Sequence, residues 1–142
     1  MLGIIIIGLT VVSSFANAPY DEPQPNKEPS VVRAVAAAYP TVALVARVSG
    51  SVIVELKINA KGDVTSADAI SGHKLLRKTA EVAARRWVFA PANKMDKARK
   101  ARLTFEFILM PGDASYADLL PVFVPPHRVE VRDMPGRIVA YD

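Results

Sequence analysis

The residues that could do acid–base, nucleophilic or metal chemistry are few, and their spacing forms no catalytic or metal-binding motif. The two histidines, His73 and His127, show no HxH, HxxxH or HExxH spacing that would bring two imidazoles to one metal ion. The lack of cysteine excludes disulfides, thiolate metal sites, thiol catalysis and lipid attachment through an N-terminal cysteine. No GxSxG motif marks a nucleophilic serine, and no spacing requires Asp63 and Asp68 to pair. We therefore predict that the protein is not an enzyme and holds no metal or cofactor.

The chemistry that remains is backbone hydrogen bonding along one strand. Residues Arg102–Met110 alternate between apolar and polar side chains, which predicts a strand with one face in the core. Because this strand lies far in sequence from the predicted hairpin, we expect it to form an edge of the sheet. The N–H and C=O groups of an edge are either covered, here by the C-terminal tail, or used to bind an extended peptide by strand addition.

Several predicted elements position this strand. Alternation predicts two strands joined by a turn at Gly62, and a stripe of apolar residues predicts an amphipathic helix after them. The predicted elements are short helices at Ser30–Ala38 and Thr41–Val48, strands at Ser51–Asn59 and Asp63–Ile70, and a helix at His73–Trp87. We therefore expect an α+β fold, with a small three-stranded antiparallel sheet, one long helix packed on it, short N-terminal helices and a C-terminal extension.

The N-terminal part of the chain differs in composition from the rest. Residues 1–18 carry no charge and place an apolar block before small residues, as a signal peptide does, and the block is also long enough for a membrane anchor. An ordinary buried helix is the third interpretation. Residues 19–33 form a Pro-rich linker. We expect the folded part to be periplasmic, exported by the signal peptide or anchored in the inner membrane.

Positive charge is concentrated in one part of the chain. The chain carries a net charge of +4, and the stretch from Lys74 to Arg102 holds ten Lys or Arg residues against Glu81 and Asp96. This cluster is either a solvated surface or a site that attracts an anionic envelope polymer, lipid head groups or an acidic partner. We predict no nucleic-acid binding, because the leader directs the protein out of the cytoplasm.

An ordered set of residues resembles the C-terminal domain of TonB-family energy transducers, over residues 34–112. The set comprises Tyr39-Pro40, Ala43, Ala46-Arg47, Gly50, the strand VIVELKI at residues 52–58, Gly62, Val64, Ser71-Gly72, Leu76, Ala80, the motif Trp87-x-Phe89-x-Pro91-Ala92 and the strand LTFEF at residues 103–107. The resemblance implies a periplasmic module of Gram-negative bacteria that binds the N-terminal box peptide of a TonB-dependent outer-membrane transporter. Inner-membrane motor proteins are the further partners that it implies.

In that family the box peptide is added as a strand beside the last strand of the domain. The resemblance therefore implies that the partner-binding residues are Leu103, Thr104, Phe105, Glu106, Phe107 and Ile108. The alternative function is that of a freestanding secreted envelope-binding module with no energy-transducing role.

The C-terminal extension, residues 113–142, lies beyond this resemblance. Two alternating stretches, Arg128–Asp133 and Arg137–Asp142, flank a Met134-Pro135-Gly136 turn and predict a weak hairpin or an extended arm. Our hypothesis is that Leu119–Val124 or this hairpin folds back and occupies the edge of the last strand as an internal plug.

Overall fold

The computed structural model of the protein describes residues 28–93 and 98–136. Four of the features predicted above lie outside these residues. They are the leader, residues 19–27 of the Pro-rich linker, the side chains of Lys94 and Lys97 in the basic cluster, and the stretch Arg137–Asp142 of the predicted C-terminal hairpin.

The described residues form seven strands and two α-helices. The elements in chain order are β1 (Val31–Arg33), α1 (Thr41–Val45), β2 (Gly50–Ile58), β3 (Val64–Ser71), α2 (Lys74–Arg85), β4 (Val88–Phe89), β5 (Arg99–Leu109), β6 (Val122–Val124) and β7 (Arg128–Asp133). A 3-10 turn at Tyr116–Leu119 lies between β5 and β6. No helix among the described residues is long and apolar enough to span a membrane.

Five of the strands form one mixed sheet in the order β3-β2-β5-β7-β6. Strand β5 pairs with β2 in antiparallel fashion on one side and with β7 in parallel fashion on the other. Strand β6 completes the sheet by antiparallel pairing with β7. Strands β1 and β4 form a separate two-stranded antiparallel sheet.

The predicted fold class is wrong in both its sheet and its helices. The main sheet has five strands and is mixed, rather than three antiparallel strands, because two strands of the C-terminal extension join it. No long helix is present in the described residues: α2 has 12 residues and α1 has five. Part of the predicted first helix is strand β1, because Val31 and Arg33 pair with Phe89 and Val88 of β4. β-Branched valines favour a strand where a partner strand is available.

The hydrophobic core lies between one face of the main sheet and α2. Alternate residues of β2 from Val52 to Ile58 are at most 1% exposed, and alternate residues of β5 from Ala101 to Phe107 are at most 7% exposed. Helix α2 contributes Leu76, Ala80, Ala83 and Ala84. The opposite face of the sheet carries the polar residues of the same strands, and we call it the open face.

The turn between β2 and β3 requires a glycine. The Asn59 side chain accepts hydrogen bonds from the backbone N–H groups of Lys61 and Asp63, at 3.0 and 2.9 Å. Gly62 has a φ of +97°, and an added Cβ would lie 1.9 Å from the carbonyl oxygen of Phe89. The glycine therefore lets β4 approach the turn, where the Phe89 N–H donates to the Gly62 carbonyl at 2.8 Å.

Candidate functional site

The predicted partner-binding residues, Leu103–Ile108, all lie in β5, and both sides of this strand are paired. On one side β2 pairs with β5 over nine residue pairs, from Gly50–Phe107 to Ile58–Arg99. On the other side β7 pairs over six, from Thr104–Arg128 to Leu109–Asp133. The outer edge of the β2–β3–β5 unit is therefore covered by a strand from the C-terminal extension.

The strand that covers this edge is the first stretch of the predicted hairpin. Arg128–Asp133 pairs with β5, whereas the predicted alternative, Leu119–Val124, contributes β6 on the far side of β7. The hydrogen bonds of this pairing include those from the Thr104 N–H to the His127 carbonyl at 2.9 Å and from the Met110 N–H to the Asp133 carbonyl at 2.8 Å.

Two valines of β7 complete the core beside β5. Val129 lies opposite Phe105 and is 0% exposed, and Val131 lies opposite Phe107 and is 5% exposed. Fully burying one valine side chain contributes about 1.5–3 kcal/mol. Burial of these two valines beside the two phenylalanines therefore stabilises the attachment of the tail to the domain.

On the open face, charged residues link β7 to β5. Arg128 donates to the Glu106 carboxylate and lies 3.9 Å from that of Glu130. Arg132 donates to Glu130 at 2.6 Å, so basic and acidic residues alternate along the open face of β7. The Arg128 side chain is 47% exposed and that of Glu106 is 31% exposed. Ion pairs this accessible to water contribute only about 0–1 kcal/mol each, so they do little to hold the strand.

The start of β7 is attached to the segment that precedes β1. The His127 ring is 8% exposed, and its Nδ1 atom lies 3.0 Å from the Glu28 carboxylate. Its Nε2 atom lies 3.2 Å from the carbonyl oxygen of Pro29. His127 is thus part of the contact between the two ends of the described chain and not of a metal site.

Beside the end of β7 the packing is incomplete. A groove of about 610 Å³ lies between residues 36–45 and the tail, and its lining includes Tyr39, Leu119 and Val131. Burial, with a smaller effect from the carboxylate of Asp133, raises the pKa of the Tyr39 hydroxyl, which donates to the Val48 carbonyl at 2.6 Å.

The two outermost strands of the described sheet offer little to a further strand. Strand β6 has three residues and is flanked by Pro121 and Pro125, which lack the N–H that strand pairing needs. Strand β3 has irregular register with β2, and its Ala69 N–H donates to the Glu81 carboxylate of α2 at 2.9 Å. The longest strand pairing on the outer side of the β2–β3–β5 unit is therefore the one that β7 already occupies.

The predicted basic cluster is not one surface in the described part of the chain. Residues of α2 lie on the helix side of the sheet, whereas Lys100 and Arg102 alternate with buried residues and lie on the open face. Arg102 lies 3.5 Å from Glu55, and Arg99 donates to the carbonyl of Ala90 at 2.7 Å. Binding of an anionic polymer stays a prediction, and the cluster does not form a single site for it.

The other residues considered for chemistry have structural roles. His73 caps α2, with its Nδ1 atom accepting from the Leu75 N–H at 3.2 Å. Within residues 28–93 and 98–136, no group of three or more His, Cys, Asp or Glu residues could hold a metal ion. Sequence reasoning missed the attachment of His127 to Glu28 and Pro29, and no local pattern indicates a contact across 98 residues.

The family comparison agrees with the resemblance derived from the sequence. The family described as "Gram-negative bacterial TonB protein C-terminal" matches residues 35–109. No curated protein matches the chain. The matched residues begin before α1 and end at the last residue of β5, so they cover just over half of the chain and leave out β6 and β7. The chain therefore belongs to the family of Gram-negative bacterial TonB C-terminal domains.

Proposed function

We propose that this protein binds an extended segment of a partner protein by strand addition along β5, at Leu103–Ile108. Family membership makes the chain a TonB-like module of envelope transport, and this family comprises interaction domains and not enzymes. A binding function needs no reactive side chain, because backbone hydrogen bonds provide the affinity and the side-chain pockets provide the specificity.

One observation carries this proposal: the outer side of β5 accepts a strand over six consecutive residue pairs. The strand that occupies it comes from outside the family-matched residues 35–109. The matched domain therefore ends on a strand whose outer N–H and C=O groups need a partner from elsewhere. A partner segment in the place of β7 would satisfy the same groups.

The partner that fits this proposal is the N-terminal box peptide of a TonB-dependent outer-membrane transporter, met in the periplasm. The apolar, uncharged residues 1–18 support export or anchoring, and an anchored chain could also contact inner-membrane motor proteins. A second candidate is a freestanding envelope module with no energy-transducing role. The covering of β5 by the chain's own tail favours this second candidate.

Photo-crosslinking from β5 tests the binding function. A photoreactive amino acid replaces Thr104 in the full chain, which is incubated with outer-membrane extract and irradiated. We expect crosslinks to the N-terminal segment of a transporter, identified by mass spectrometry. The same amino acid at Val82, which is 47% exposed on α2, is the control. Equal capture from both positions, or crosslinks only to folded domains, would contradict strand addition.

The intact mass of the protein isolated from the envelope separates the two candidates. A chain that retains Met1 supports an anchored transducer, because force can then pass through its N-terminus. A chain that begins at Asn17 supports the freestanding module.

A further inference from the structure

We propose that β7 is an internal competitor for the β5 edge, and that the partner segment which replaces it shares its pattern. In this pattern a basic residue is followed by aliphatic residues one and three positions after it, as Val129 and Val131 follow Arg128. The segment runs parallel to β5. The inference rests on the proposed function, because it concerns the same edge.

The aliphatic positions follow from the register of β7. Val129 and Val131 lie opposite Phe105 and Phe107, and all four side chains are at most 5% exposed. A segment that replaced β7 without aliphatic residues at these two positions would leave a cavity or a buried polar group beside the phenylalanines. Successive side chains of a strand alternate between faces, so the two positions must be two residues apart.

The basic position follows from the charge of Glu106. The residue directly opposite Glu106 is Glu130, and like charges in opposite positions destabilise a sheet. In this protein the Arg128 guanidinium contacts Glu106 and lies near Glu130, which compensates the two carboxylates. A partner segment therefore gains from a basic residue at the position of Arg128.

Three features make β7, and not β2, the strand that leaves. First, β7 lies outside the family-matched residues, whereas β2 lies inside them. Second, β7 pairs with β5 over six residue pairs and β2 over nine. Third, the outer neighbour of β7 is the three-residue β6, and the groove of about 610 Å³ borders its Val131 side chain. The tail is tethered to the domain, so it competes at a high effective concentration.

A reversible disulfide tests whether β7 must leave. Ile108→Cys and Arg132→Cys introduce thiols at directly paired positions of β5 and β7, in a chain with no cysteine of its own. Neighbouring strands lie about 4.8 Å apart, which suits a disulfide. The probe is a fluorescent synthetic peptide, HRVEVRDM, with the sequence of residues 127–134. We expect the reduced protein to bind it and the oxidised protein to bind at least tenfold more weakly.

The control disulfide joins β5 to β2 and leaves β7 free. Lys57→Cys and Lys100→Cys occupy directly paired positions outside Leu103–Ile108, and we expect the peptide to bind this variant equally well when oxidised and when reduced. Equal binding by the two redox forms of the Ile108 and Arg132 variant would overturn the competitor inference. The competitor inference would also be overturned if the peptide failed to bind the reduced Ile108 and Arg132 variant.

A charge reversal tests the recognition pattern. Arg128→Glu in the full chain places a third carboxylate beside Glu106 and Glu130, so β7 should separate from β5 more often. The peptide HRVEVRDM should therefore bind this variant about tenfold more tightly than it binds the wild type. Arg85→Glu, an equal charge change on exposed α2, should leave binding unchanged. The peptide HEVEVRDM should bind the Arg128→Glu chain at least tenfold more weakly than HRVEVRDM. Equal binding of the two peptides would overturn the basic position.

The crosslinking experiment separates this inference from the proposed function. If the oxidised Ile108 and Arg132 variant still captures a transporter segment from Thr104, strand binding by the protein stands and the competitor role of β7 is refuted. If neither redox form captures such a segment, the proposed function fails independently of the peptide result.

Discussion

Replacement of Val129 by alanine tests whether apolar burial, and not ion pairing, holds the tail on the domain. The substitution removes two methyl groups from a side chain that is 0% exposed beside Phe105. Two buried carbons contribute about 1.6 kcal/mol at roughly 0.8 kcal/mol each, and the residual cavity adds to this. We therefore expect the free energy of unfolding to fall by roughly 2–3 kcal/mol. Arg128→Ala breaks an ion pair whose side chains are 47% and 31% exposed, so it should cost only about 0–1 kcal/mol.

Urea denaturation followed by the fluorescence of Trp87 measures both changes. Trp87 is the single tryptophan and is 2% exposed, so its emission reports the loss of the core. The control is Val82→Ala, the same chemical change at a valine that is 47% exposed, and it should change stability by at most about 0.5 kcal/mol.

Hydrogen exchange adds a local measurement. The Thr104 and Met110 amides donate to β7 or to His127 just before it, so their exchange should accelerate in Val129→Ala. The reasoning is refuted if Arg128→Ala destabilises the protein as much as Val129→Ala does. In that case the open-face charges would hold the tail.

Two further predictions concern the turn glycines and one acidic cap. Gly62→Ala should destabilise the protein by more than about 3 kcal/mol, because its Cβ would lie 1.9 Å from the Phe89 carbonyl oxygen. Gly50 has a φ of +129° and no atom within 4 Å of an added Cβ. Gly50→Ala should therefore cost only about 1–2 kcal/mol of backbone strain. Equal losses in thermal denaturation would contradict the clash. The Ser115 hydroxyl and N–H donate to Asp118 and lower the pKa of its carboxyl below the ordinary 3.8. The cap therefore stabilises the 3-10 turn at pH values above 3.8, and this stabilisation is lost as the pH falls through the lowered pKa. An NMR titration should show the Asp118 midpoint rising in Ser115→Ala, and an unchanged midpoint would rule out this cause.

Local patterns in the sequence predicted the elements of the matched domain well. The alternation at Ser51–Asn59 and Arg102–Met110 corresponds to β2 and β5, and the apolar stripe at His73–Trp87 corresponds to α2. These patterns work because one face of each element is buried, so the side-chain period itself records the secondary structure. The ordered motif set also led to the correct family.

The same patterns failed where an element has no period of its own. Strand β1 has three residues, and its pairing with β4 comes from contacts more than fifty positions away. A three-residue segment contains less than one helical turn, so periodicity cannot distinguish a helix from a strand there. The prediction of a helix at Ser30–Ala38 followed from this limit.

The sequence by itself determined that Arg128–Asp133 alternates. It also predicted that the last strand of the matched domain forms an edge of the sheet, which is wrong for the complete sheet because β5 lies between β2 and β7. Only the tertiary structure decided that these two segments pair, that they run parallel, and that Val129 and Val131 enter the same core as Phe105 and Phe107. A strand can pair with any of several segments that lie far from it in sequence. The pairing that forms is the one that lets the apolar faces of both strands be buried together. Because of this pairing, the sheet is five-stranded and mixed, and not the three-stranded antiparallel sheet that the sequence predicted.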